Sequence, residues 1–168
     1  DWLSATYYDL LVRNGNWQEA ENVASDALKH KLIDAKQAAR RQTMLLHSRA
    51  LEARAAGNSD DALRFARKAA ENDLDFSPAV VTAATLLTET GKQRRATGLI
   101  EKAWGKYPHP SLVAPYLEAA GAHDAMSRVR AMETLAATNR DHRESRIAAG
   151  EAALEAGLWG EARSKLQP

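Results

Sequence analysis

Along this chain apolar positions recur at intervals of three and four, and alanine dominates them. Ala20, Ala24 and Ala27, then Ala62, Ala66 and Ala69, then Ala96, Ile100 and Ala103 each mark one face of a predicted helix. Facing sets precede them: Tyr8 and Leu11, Ala50 and Ala53, Ala84 and Leu87. A glycine separates each pair of sets, at Gly15, Gly57 and Gly91. The string Gly57-Asn58-Ser59-Asp60-Asp61-Ala62 returns as Gly91-Lys92-Gln93-Arg94-Arg95-Ala96, a shift of 34 residues. A last unit repeats the scheme with Gly157, Trp159 and Ala162 against Gly150 and Ala153.

Small residues where two helices cross, a glycine at the reversal and a period of 34 are the marks of tetratricopeptide helix hairpins. The fold class that follows is all-α, a tetratricopeptide-like right-handed α-solenoid of about five helix hairpins. The hairpins fall at roughly 2–30, 34–73, 77–106, 110–138 and 142–166, in one array spanning 1–168. Gly91 and Gly157 are 66 residues apart, so one degenerate hairpin lies between them. Its first helix is short, its turn is Gly121-Ala122-His123-Asp124, and Val129, Met132 and Leu135 mark its second helix. Gly15 and Gly57 are 42 apart, eight more than the period, and the surplus lies near Lys31–Ala39. With Asp34 as N-cap, one helix of about six turns should run to Ala56 and overhang the array by roughly two turns. Trp17, Trp104 and Trp159 are expected between helices, in the core.

Charge adds little. With 23 basic and 22 acidic residues intermixed, nothing attracts nucleic acid, and Arg40-Arg41 and Arg94-Arg95 read as solvated helix faces. The absence of cysteine excludes disulfides, thiol catalysis and cysteine-ligated metal. No run of 18 apolar residues is present. The chain opens at Asp1-Trp2 without methionine and closes at Leu166-Gln167-Pro168, as expected of a fragment of a longer protein. Trp159 and Leu166 would then be left open, a surface through which a dimer is possible.

Trp104-Gly105-Lys106-Tyr107-Pro108-His109-Pro110-Ser111-Leu112-Val113, followed by Tyr116, resembles a segment of HemY-type proteins, bacterial tetratricopeptide proteins associated with haem biosynthesis. The stretch from Glu144 to Leu166 is similar to them as well, while Asn139-Arg140-Asp141-His142 lacks a proline the family carries there. The resemblance implies a non-catalytic scaffold anchored in the inner membrane by a segment preceding the repeats. The soluble part would lie on the cytoplasmic side, with haem-biosynthesis enzymes as partners. It supplies no catalytic residues, and the sequence offers no glycine-rich phosphate loop or nucleophile elbow. A generic adaptor of another pathway is the alternative.

In tetratricopeptide arrays the first helix of each pair lines the concave groove. That places Trp2, Asp9 and Arg13, then Met44, His47, Leu51 and Arg54, then Val81, Thr85, Thr88 and Glu89, then Glu144, Ile147, Glu151 and Glu155 in the groove. The expected ligand is a protein or peptide segment of matching amphipathic character. No metal or cofactor is expected, since no two histidines share a helix face. A haem-carrying module, with His47 or His109 as the imidazole on iron, is a third reading that surface and turn placement makes the weaker one.

Overall fold

The structure, a computed structural model, describes residues 2–167, apart from the side chains of residues 3 and 4. It is all-α and tetratricopeptide-like: ten α-helices and one 3-10 turn, with no strand among the described residues. The chain divides into two compact units, Asp1–Asp73 and Leu74–Pro168.

The first unit holds α1 (Trp2–Arg13), α2 (Trp17–Lys29), α3 (Ala35–Ala55) and α4 (Ser59–Asn72). Tyr8, Leu11, Ala20 and Leu45 form the core of its first half, with Val12, Trp17, Val23 and Ala24 packed against them. Ala50, Ala62, Ala66 and Ala69 are fully buried at the α3–α4 crossing. A methyl group there lets two helix backbones approach, and any larger side chain would overpack the seam.

The second unit holds α5 (Ser77–Glu89), α6 (Gln93–Trp104), a 3-10 turn at Pro110–Leu112, α7 (Val113–Ala119), α8 (Ala125–Ala137), α9 (Arg143–Glu155) and α10 (Trp159–Leu166). Trp104, Ile100, Leu112, Met132, Leu135 and Val80 are its largest fully buried side chains. The Trp104 indole N–H donates to Ser145 Oγ at 2.7 Å, linking the end of α6 to the start of α9. The intervening first helix, α7, has only seven residues, which leaves room for that link. At Gly150 an added Cβ would lie 2.6 Å from Leu166 Cγ, so glycine sets the approach of α9 to α10.

All five hairpin turns use one device. Gly15, Gly57, Gly91, Gly121 and Gly157 have φ between +64° and +77°. The residue after each glycine donates its N–H five residues back, as in Asn58 N–H to Ala53 O at 2.9 Å and Leu158 N–H to Ala153 O at 2.8 Å. This is the Schellman ending, in which a left-handed residue lets the last carbonyls find donors. Lys31 makes the same turn after α2, at φ 56°, with Leu32 N–H donating to Ala27 O at 2.9 Å. Asp34 then caps α3, its carboxylate accepting from Gln37 N–H at 2.7 Å.

Two readings need correction. Arg40-Arg41 is no solvated face: Arg40 ion-pairs with Asp73 at 2.5 Å, and the half-buried Arg41 guanidinium lies 5.1 Å from the Tyr8 ring centroid. The surplus length of α3 carries both arginines back along its neighbours. Trp159 is 71% exposed and outside the core. Trp17, at the same place after its glycine, is half-buried because α3 lies beside it, and Glu52 Oε2 accepts from its indole N–H at 2.5 Å. Helix α10 meets α9 through Ala162 and Leu166, and Trp159 lies outside that seam.

Candidate functional site

Helix α5 buries Ala79, Val80, Ala83, Leu86 and Leu87, which turns the remaining strip outward. Thr85, Thr88 and Glu89 of that strip line a cleft of about 650 Å³. Pro115 and Glu118 of α7, with His123 beyond its end, line the other side. Thr88 Oγ1 donates to Ala84 O at 3.0 Å, so its hydroxyl is occupied within its own helix. The cleft has two carboxylates and no lysine or arginine among its lining side chains. Its chemistry favours a donor-rich or cationic segment. Glu151 is exposed on α9 and does not line this cleft, and neither do Glu144, Ile147 or Glu155.

The remaining candidates lie on the first unit. Trp2, Asp9 and Arg13 are exposed on α1, where Tyr8 and Leu11 take the buried side. On α3, Met44 and Leu51 are about half exposed one heptad apart, His47 between them is half-buried, and Arg54 is exposed. These side chains present an open apolar-and-basic helix face.

The opposite side of α3 carries a feature that sequence reasoning missed. Ala35, Ala38, Ala39, Arg41, Gln42 and Leu45 face α2 across a cleft of about 560 Å³. Tyr8 and Leu45 are nearly fully buried beneath it, and Ala24, Ser25 and Leu28 belong to its α2 wall. The signal was available: of the surplus stretch Lys31–Ala39, the residues that face the cleft are the alanines Ala35, Ala38 and Ala39, too small to close the gap their helix opens.

Several residues singled out in the sequence hold structure. His109 Nδ1 accepts from Ser111 N–H at 3.2 Å and His142 Nδ1 from Glu144 N–H at 3.1 Å, so each ring caps the helix it precedes. The Tyr116 hydroxyl donates to Glu101 Oε1 at 2.8 Å, and burial with that bond pushes its pKa well above the ordinary phenol value. No described helix is long and apolar enough to cross a membrane.

No protein-family model matches the chain. Probable magnetosome protein Mms48 of Magnetospirillum gryphiswaldense is 29% identical to it over 152 residues, 90% of this chain and 34% of that protein. The chain therefore spans about a third of the length of this curated relative. Among solved structures, BtubC from P. vanneervenii aligns with a TM-score of 0.45 at 17% identity, over 97% of this chain and 75% of that one. MamA aligns with a TM-score of 0.44 at 15% identity, over 95% of this chain and 90% of that one.

Proposed function

We propose that the chain is a non-catalytic scaffold that holds protein segments in clefts between its helix hairpins. The observation that carries this reading is the α5–α7 cleft, where Thr85, Thr88 and Glu89 converge with Glu118 on an open, acidic, partly apolar surface. The half-exposed Met44 and Leu51 offer a second contact face on α3. Hairpin arrays bury their small residues at crossings and leave first-helix positions free for partners, which supports placing recognition there.

The cellular setting has two sources of support that point apart. The Trp104–Tyr116 and Glu144–Leu166 strings favour the soluble region of a HemY-type inner-membrane protein acting beside haem-synthesis enzymes. The likeness to a probable magnetosome protein favours the setting of that relative, and nothing in it speaks for haem. The scaffold reading is common to both.

The test is affinity capture from solubilised membranes with the intact chain and a Glu118→Arg variant. Glu118 is exposed, so its charge can be reversed without touching the core. Proteins retained by the intact chain and lost with the variant would establish the cleft as a binding site, and their identity decides between the settings. Equal recovery with both would refute recognition through this cleft.

A further inference from the structure

Arg41 is held in an unusual way for a surface arginine. Its guanidinium lies over the Tyr8 ring, the Tyr8 hydroxyl donates to the Arg41 carbonyl at 3.0 Å, and Nη1 is buried without a hydrogen-bond partner. A guanidinium has five N–H donors and no way to shed its charge, so an unmet buried donor is costly unless something else accepts from it. The side chain lines the α2–α3 cleft and is the single lysine or arginine doing so. Glu21 is the one carboxylate of the lining and forms no ion pair with Arg41 among the described residues.

The rest of the cleft is apolar at the base and small at the walls. Tyr8 and Leu45 underlie it, while Ala24, Ala38 and Ala39 leave room for a helix to approach closely. A volume of about 560 Å³ is in the range of a site that takes a few side chains. One fixed cation above an apolar floor matches one carboxylate between apolar neighbours, and a planar guanidinium can bind both carboxylate oxygens at once. A phosphate dianion would keep an unmatched charge beside Glu21.

We propose that the α2–α3 cleft is a docking site for a partner-protein helix that presents a single internal glutamate between leucines, its carboxylate seated on Arg41. This surface is separate from the α5–α7 cleft and stands or falls independently of it.

The probe is an acetylated, amidated helical peptide with one glutamate flanked by leucines at three and four positions, beside its glutamine twin. A third peptide lacks the glutamate and ends in a free carboxylate. Each is titrated into the isotope-labelled full chain, reading the Arg41 side-chain N–H and the Ala24 and Ala38 methyl signals by NMR. The glutamate peptide should shift these signals and bind roughly tenfold or more tightly than its twin, the ratio that about 1.4 kcal/mol supplies. Arg41→Lys should weaken it in part. Ala38→Phe, which fills the cleft from a half-exposed position, should abolish it while circular dichroism stays unchanged. No shift at these signals up to millimolar peptide would overturn the proposal. So would equal binding of the glutamine twin, preference for the free terminus, or shifts confined to Thr85, Thr88 and Glu118.

Discussion

Replacing Trp104 with Phe tests the joint that ties α6 to α9. Trp104 is fully buried and Ser145 is 1% exposed, and their 2.7 Å hydrogen bond is shut off from water. Losing the second ring of the indole removes about a quarter of a side chain that buries roughly 200 Å², or about 1–1.5 kcal/mol at about 25 cal/mol per Å². The space left behind adds about 1 kcal/mol if it does not collapse, at about 24 cal/mol per Å³. The stranded Ser145 hydroxyl adds roughly 1–3 kcal/mol. The expected total is about 3–5 kcal/mol, a large share of the roughly 5–15 kcal/mol a domain of this size holds.

Ser145→Ala alone should cost about 1–3 kcal/mol, because it strands the indole N–H in the same way. Combining the two removes both stranded groups, so the double variant should lose less than the sum of the singles by about 1 kcal/mol or more. Urea titrations of all four proteins, followed by far-ultraviolet circular dichroism so that tryptophan loss does not affect the signal, give the cycle. The m-values must agree for the energies to be compared. Additivity within about 0.3 kcal/mol would mean that the bond contributes nothing and that the α6–α9 joint rests on packing alone.

Gly150→Ala should destabilise the chain despite a helix-propensity gain of roughly 1 kcal/mol, because the new methyl displaces Leu166; in a Leu166→Ala background the sign should reverse, which thermal melts will show. Thr43 is fully buried with an unpartnered hydroxyl, so Thr43→Val should raise stability by about 1 kcal/mol in urea titration, and a loss would mean the hydroxyl has a partner. Lys31→Gly relieves a left-handed residue and should stabilise by roughly 0.5–1 kcal/mol in the same assay, whereas a loss would argue against that turn. Tyr116 has its pKa raised by burial and by Glu101, so the folded state keeps a proton that the unfolded state releases from about pH 10 upward. Its contribution is therefore complete below that pH and lost as the pH climbs beyond it, and Tyr116→Phe should flatten the alkaline fall in melting temperature.

The turns were legible because the chemistry demands a particular residue. Only glycine takes φ near +70° without strain, so Gly15, Gly57, Gly91, Gly121 and Gly157 announce the reversals in the sequence itself. The crossing alanines were legible for a related reason, since a close helix seam excludes larger side chains. Lys31 makes the same reversal without glycine, held by Leu32 N–H to Ala27 O, and no local pattern distinguishes it from an exposed helical lysine. The fate of Arg41 was hidden because it depends on Tyr8, 33 residues away, and on a register set by the length of α3. Trp159 was misplaced because its sequence context matches Trp17, whereas burial depends on what lies beside the helix.

That contrast between Trp17 and Trp159 bears on where recognition is to be sought. In a hairpin array the identity of a residue fixes its place within its own hairpin, and its exposure is fixed by the neighbouring hairpin. The same rule accounts for the clefts. Thr85, Thr88 and Glu89 line an open surface because the facing helix α7 has seven residues against thirteen in α5. Arg41 lines another because α3 has 21 residues against thirteen in α2. Both clefts thus arise where the chain departs from its regular hairpin length. Length mismatches that leave polar or charged side chains over an apolar floor are where such a fold gains specificity, and in this chain they mark the surfaces on which partner binding is to be measured.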